Sequence, residues 1–259
     1  FCIGNENQSH DESKYAGNVA KHLSTDHEQL ILNEKSIINE IPSIVSKLNE
    51  PMGDSSFIPA YYASKLAQKK VKVVLTGDAG DEIFGGYNRY TKINYVTKLH
   101  GLPKSLKKLI SYCLSNLGEK NINRIDTIAK ILPFFKKQFY LNDKIKKLLD
   151  RIDPNLSLSD FIFNFFLNKC EYNLLNNSDA FSKEKIFSVF NKQFSDKQLD
   201  SLALEEKLMF MDTINYLPND ILFKVDRASM ANSVETRAPF LDKDLYEFSK
   251  GLSLEKKIK

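Results

Sequence analysis

The residue types capable of chemistry fall in two stretches. The first runs from Val71 to Tyr87 and places three carboxylates, Asp78, Asp81 and Glu82, directly after Thr76-Gly77. The second runs from Tyr216 to Asp242 and holds Lys224, Asp226, Arg227, Glu235 and Arg237. A glycine-containing turn between a strand and a helix offers backbone N–H groups to phosphate. A Walker loop is excluded, because it needs Gly-Lys-Ser/Thr and no lysine stands between Thr76 and Tyr87. Carboxylates beside phosphates repel unless a cation lies between them, so the turn implies Mg²⁺ shared between a carboxylate and a polyphosphate. The competing reading is a solvated acidic helix start favoured by the helix dipole, and residue types alone do not separate the two. Lys224 and Arg227 stand i, i+3 on a helix and share a face. Cations there meet a phosphate or an acceptor carboxylate, or they join Asp226, Glu235 and Arg237 in an internal ion-pair network.

These residues need elements to hold them. Val71–Leu75 is a short β-branched run, the pattern of a buried parallel strand. Upstream, Phe1–Gly4 reads as the end of a strand, and Asp11 as the N-cap of a helix carrying Tyr15, Ala16, Val19, Ala20 and Leu23 on one face. His27–Leu32 reads as a second strand, Ile37–Leu48 as an amphipathic helix and Ala60–Gln68 as a third helix. Strand and helix alternate, the pattern of an α/β doubly wound fold whose ligands sit beyond the carboxyl ends of the strands. After Tyr90 the strand pattern is lost, and residues 91–204 read as a helical array rich in Leu, Phe and Lys. Residues 205–259 read as a further helical segment, with helices at Asp212–Tyr216 and Ile221–Met230 separated by a turn at Pro218-Asn-Asp220.

With 259 residues, 42% hydrophobic and 27% charged, the chain is of ordinary globular composition and long enough for an ample core. No run approaches the roughly 18 apolar residues a membrane helix needs, and a net charge of +4 is too small to argue for nucleic acid. Three cysteines, Cys2, Cys113 and Cys170, fit buried structural thiols in a reducing, cytoplasmic compartment. The interleaved lysines, Lys104, Lys107 and Lys108 among them, read as a solvated helix face. None of His10, His22, His27 and His100 has metal-ligand spacing.

The stretch Thr76-Gly-Asp-Ala-Gly-Asp-Glu-Ile-Phe-Gly-Gly-Tyr87 resembles the Ser-Gly-Glu-Gly-Ala-Asp-Glu-Leu-Phe-Gly-Gly-Tyr signature of the glutamine-hydrolysing asparagine synthetases. The stretch Lys224-Val-Asp-Arg227, continuing to Glu235-Thr-Arg-Ala-Pro-Phe-Leu-Asp242, is similar to that family's Lys-x-Asp-Arg and Glu-x-Arg-x-Pro-Phe-Leu-Asp. Two long blocks in the right order are a specific signal, and the resemblance covers roughly residues 1–92 and 205–255.

The resemblance implies a synthetase domain truncated at both ends, with an adenine nucleotide α-hydrolase-like sheet of the PP-loop ATPase type and a helical lobe. It implies ATP and Mg²⁺ as cofactors and a reaction in two steps: a carboxylate attacks the α-phosphorus to give an acyl-adenylate, then ammonia displaces AMP. Thr76 and Gly77 align with residues touching the nucleotide, and Ile3 with an aliphatic residue against adenine. Asp78 takes the place of a Glu linked to adenylate formation but is one methylene shorter, and Asp81 matches the carboxylate near Mg²⁺ and pyrophosphate. Lys224, Asp226 and Arg237 fall where substrate or phosphate is contacted. A Ser-Gly-Gly-x-Asp-Ser loop, and the glutaminase domain that releases ammonia from glutamine, are expected upstream of Phe1, and a catalytic lysine beyond Lys259. The chain alone is then expected to be inactive and poorly stable. Aspartate is the commonest acceptor in the family, other carboxylates such as cell-surface sugar acids are alternatives, and a homodimer is compatible. The competing class is a non-catalytic nucleotide-binding scaffold.

Overall fold

The structure is a computed structural model that describes residues 1–6, 11–115, 157–158, 162–163, 183–195 and 197–258. The chain divides into two compact units, one formed by Phe1–Tyr87 with Met209–Lys259 and the other by Asn88–Leu208.

The first unit contains four short strands. β1 (Cys2–Asn5) pairs in parallel with β2 (Gln29–Leu32), in the register Ile3 to Leu30 and Gly4 to Ile31. β3 (Val73–Leu75) pairs in parallel with β4 (Glu235–Arg237), in the register Val73 to Glu235 and Leu75 to Arg237. Among the described residues these strands form two two-stranded sheets. The expectation of a strand buried on both faces is therefore corrected: Val73 is 42% exposed and Leu75 73% exposed. Among the described residues β3 has one neighbouring strand, β4, and the side chains of Val73 and Leu75 stay open to solvent.

Helices α1 (Ser13–His22), α2 (Glu34–Val45) and α3 (Phe57–Ala67) form where the sequence spacing predicts helices, but the apolar face of α1 is not buried as a face: Ala20 is buried, whereas Tyr15, Val19 and Leu23 are exposed. The N-cap of α1 is Glu12, without a side-chain cap bond, rather than the expected Asp11. Asp11 stands one residue earlier, its Oδ1 accepting the Ser13 N–H at 3.1 Å and its Oδ2 the Ser13 hydroxyl at 2.8 Å. Leu32, Ile44, Phe57, Tyr61, Tyr62 and Ala228 form the buried cluster at the centre of the unit, with Ile3 packed against it. Asn232, buried within the second motif block, donates its amide to the carbonyls of Tyr61 at 3.1 Å and Ala228 at 2.9 Å. It thereby ties α3 to the helix that carries Lys224.

Residues 205–259 are not wholly helical, because Glu235–Arg237 is strand β4. The turn expected at Pro218 is absent: Asp212–Leu222 runs as one π-helical stretch through Pro218. A proline removes a backbone donor and normally breaks a helix. Asn215 and Asn219 also donate side-chain amides four residues back, to the carbonyls of Met211 at 3.0 Å and Asn215 at 2.8 Å. Phe223–Met230 continues directly as an α-helix.

In the second unit the described residues form α5 (Asn88–His100), α6 (Lys104–Ser115) and α7 (Lys183–Phe194). Phe163 packs edge-on against Phe187 with centroids 5.2 Å apart, and Asn94 donates to Glu205. Lys107 is 4% exposed and not on a solvated face, since a long methylene stem can lie along apolar surface. Much of the expected helical array at 91–204 lies outside the described residues. Cys113 is exposed and Cys2 half-buried, its thiol raised by burial, so the expectation of a buried thiol is corrected for Cys113, while Cys170 lies outside the described residues. Among the described residues no helix is long and apolar enough to cross a membrane.

Candidate functional site

The first motif block folds as the strand–turn–helix junction expected of it. β3 ends at Leu75, the Gly80 N–H donates to the Gly77 carbonyl at 3.2 Å, and α4 spans Gly80–Phe84. The third residue of that turn, Ala79, has φ 73° and ψ −12°, values a type II turn requires and glycine adopts most readily. Its methyl is buried against Leu217 and Ile221, with Phe240 packed on the same cluster. Helix α4 ends in Gly85, also at φ 73°, and the Gly86 N–H closes onto the Asp81 carbonyl at 3.0 Å.

The three carboxylates of the turn have three environments. Asp81 is exposed and Asp78 half-exposed. Glu82 is only 1% exposed and accepts the Tyr87 hydroxyl at 2.6 Å. Burial first, and then this hydrogen bond, push the Tyr87 phenol far above its ordinary value, so it stays a neutral donor. The Tyr87 ring in turn meets Tyr216 at 6.1 Å between centroids. Glu82 is thus an internal strut, not the solvated helix-start residue that its charge suggests. The sequence signal that could have found it is the Tyr placed just past the Gly85-Gly86 reversal.

Thr76 sits where β3 runs out, its N–H donating to the Arg237 carbonyl at 2.9 Å. Its hydroxyl oxygen is buried and has no hydrogen-bond partner. A Cβ built at neighbouring Gly77 meets nothing within 4 Å, so the space before the turn is open. The second motif block forms the other wall. Phe240 lies 3.4 Å from a Cβ built at Gly80 and stacks edge-on with Phe84. The fold therefore brings Thr76, Gly77, Asp78, Asp81 and Arg237 to one strand end.

The remaining residues singled out in the sequence lie elsewhere. Ile3 is on the other sheet, half-buried in the central cluster. Lys224, 8% exposed, donates to Asp54 Oδ2 and Ser56 Oγ, each at 2.7 Å. Burial alone would raise the Asp54 carboxyl, but the Lys224 ammonium and the Ser56 hydroxyl and N–H outweigh it and hold the group below the usual carboxylate range. Asp226 is exposed and 4.0 Å from Arg227. Arg237 and Glu235 pair at 2.7 Å on one exposed face of β4.

A sequence profile described as asparagine synthase matches residues 1–259. The chain belongs to the asparagine synthase family. It is 28% identical over 265 residues to asparagine synthetase (glutamine-hydrolysing) 1 of Bacillus subtilis strain 168, an alignment spanning 100% of this chain and 37% of that protein. It is 30% identical over 236 residues to the protein named "Putative asparagine synthetase (glutamine-hydrolyzing) 2" of Methanocaldococcus jannaschii, spanning 89% of this chain and 39% of the relative. The chain thus spans well under half the length of these asparagine synthase relatives. No solved structure matches it.

Proposed function

We propose that the chain is the amide-forming part of a larger glutamine-hydrolysing ligase, which activates aspartate with ATP as an acyl-adenylate and converts it to asparagine. The observation that carries this reading is the pairing of β3 with β4. It joins the Thr76–Asp81 turn to the Glu235–Arg237 block, about 150 residues later in the chain, around an open space with a buried, unpartnered hydroxyl.

The residues fit the groups the reaction needs. Thr76 Oγ1 is an unsatisfied polar atom at the strand end, and a nucleotide oxygen would satisfy it. Gly77 leaves the approach to the backbone clear. No three His, Cys, Asp or Glu side chains gather into a metal cage among the described residues. Mg²⁺ is commonly held by one or two carboxylates together with substrate phosphates, a set that Asp81 supplies with Asp78 beside it. When bound, the ion would neutralise charge growing on the phosphate oxygens.

Each residue then has a task. Asp81 would hold the ion together with the nucleotide's phosphates, and Asp78 would serve the acceptor carboxylate during adenylation. Arg237, at the strand end beside Thr76 and paired with Glu235, would be the cation for a phosphate or acceptor carboxylate. Lys224 has its charge met by Asp54 and reaches an anionic substrate only by exchanging that partner, with Asp226 exposed one turn edge away. Ile3 borders the adenine. The β1–β2 and β3–β4 pairs would be the two halves of one doubly wound sheet of the PP-loop type, and the exposed Val73 and Leu75 support that. A glutaminase domain elsewhere in the polypeptide would supply ammonia, in a cytoplasmic enzyme able to form a homodimer.

The test is ATP–pyrophosphate exchange by the full-length protein. Exchange that depends on aspartate is the expected result. Exchange that depends on another carboxylate would move the acceptor, and nucleotide binding without exchange under any carboxylate would favour a scaffold.

A further inference from the structure

Gly86 touches the site through a residue five positions earlier. A Cβ built on it would overlap the Asp81 Oδ1, lie 2.9 Å from Asp81 Cγ and crowd the Asp81 Cα at 3.3 Å. The Asp81 carboxylate thus lies back over the bare Cα of Gly86, in space that any other residue would fill. The backbone is fixed there from both sides. Gly86 donates its N–H to the Asp81 carbonyl at 3.0 Å, and the next residue, Tyr87, is anchored to the buried Glu82 at 2.6 Å.

We propose that Gly86, held in place by the Glu82–Tyr87 hydrogen bond, is a positioning residue that sets the direction of the Asp81 carboxylate towards a metal-bound polyphosphate. The proposal rests on the reading of Asp81 as the metal carboxylate. It asks more of Gly86 than chain reversal, because Gly85, not Gly86, has the positive φ that a reversal requires. Asp81 is an exposed side chain, so a Cβ at Gly86 is relieved by turning the carboxylate outward rather than by unpacking the fold. The consequence is a loss of aim at little cost in stability, which a purely structural glycine would not give.

The experiment uses the full-length protein, with MgATP binding measured by calorimetry over a range of Mg²⁺ concentrations. Gly86→Ala is expected to raise the Mg²⁺ needed for half-maximal ATP binding by about tenfold, with the melting temperature lowered by no more than a few degrees. In an Asp81→Ala background, which removes the overlapped carboxylate but keeps the crowded Cα, Gly86→Ala is expected to leave the Mg²⁺ requirement unchanged while its small cost in melting temperature persists. Tyr87→Phe is expected to raise the Mg²⁺ requirement in the same direction, and again only when Asp81 is present. If Asp81→Ala raises the Mg²⁺ requirement but Gly86→Ala does not, or if the two effects simply add, the positioning role is overturned while the site reading stands. If Asp81→Ala leaves the requirement unchanged, both fall together.

Discussion

The Thr76 N–H donates to the Arg237 carbonyl at 2.9 Å, one step beyond the last register pair of β3 and β4. This bond makes the first residue of the acidic turn a continuation of the sheet. Thr76 and Arg237 belong to motif blocks far apart in sequence, yet a backbone ladder, rather than flexible side chains, sets their spacing. Groups that must meet a developing charge work best when they need no reorganisation.

The Lys224–Asp54 pair joins the helix of the second motif block to the loop before α3. Lys224→Met should destabilise the protein by about 2–3 kcal/mol, somewhat less than for a fully enclosed pair because the Asp54 side chain keeps 19% exposure. Adding Asp54→Asn should recover part of that loss, since no uncompensated carboxylate then stays in the interior. The folded-state Asp54 carboxyl lies below its unfolded value of about 3.9. Its contribution is therefore complete above that value and is lost as pH falls below it towards the folded pKa. Urea titrations at neutral pH and in acid should show this acid-labile component in the wild type and not in the double variant.

Much of this site was legible in the residues, and what was not has physical causes. The β-branched run before Thr76-Gly77 and the amphipathic helices of the first unit follow directly from periodicity. Glu235-Thr-Arg237 could not be read as a strand, because three residues carry no alternation to detect and only pairing with β3 defines them. Pro218 signalled a break, yet the chain passes through it in a wider π-helical winding. Glu82 looked like a solvent residue, and the fold buries it only because the chain turns back at Gly85 to bring Tyr87 over it. Leu75 looked like core and is exposed, with β4 the one strand beside β3 among the described residues.

Tyr87→Phe leaves Glu82 buried without that donor, and should cost about 1–3 kcal/mol. The folded-state Tyr87 phenol is raised above its unfolded value of about 10. The stability it contributes is present below that value and is lost as pH rises above it towards the folded pKa. Thermal melts in buffers taken above about pH 10 should fall more steeply for the wild type than for Tyr87→Phe. Parallel slopes would mean the hydrogen bond does not persist in solution.

Ala79 at φ 73° occupies a backbone conformation that costs an L-residue about 1–2 kcal/mol. The family signature places Gly-Ala where this chain has Ala79-Gly80. Ala79→Gly alone should be close to neutral, because relief of strain is offset by the lost buried methyl and a more flexible unfolded chain. The swap Ala79→Gly with Gly80→Ala should stabilise by about 1 kcal/mol, since the new methyl meets Phe240 at an ordinary 3.4 Å and the unfolded chain regains its stiffness. Chemical denaturation of the three variants tests the order.

Asp81→Asn should leave stability within about 0.5 kcal/mol, as for other exposed positions, while removing most ATP–pyrophosphate exchange from the full-length enzyme. The carboxylate is the hard oxygen ligand a divalent ion needs, and the amide that replaces it carries no charge. Near wild-type exchange would reduce the acidic turn to a favourable helix start.

Thr76→Val separates binding from folding most cleanly. The Thr76 hydroxyl is buried and unpartnered in the ligand-free chain, so it contributes nothing to stability and its desolvation is a standing cost. Replacing it with a methyl of similar shape should leave the melting temperature unchanged or raise it slightly. If the hydroxyl is there for a nucleotide, the same change removes a hydrogen bond made only in the complex, worth about 0.5–1.5 kcal/mol, or roughly two- to tenfold in ATP affinity. Calorimetric titration with MgATP beside a thermal melt gives both numbers from one preparation. A variant that is destabilised but binds ATP normally would place the hydroxyl in the fold's own hydrogen bonding and remove Thr76 from the nucleotide site.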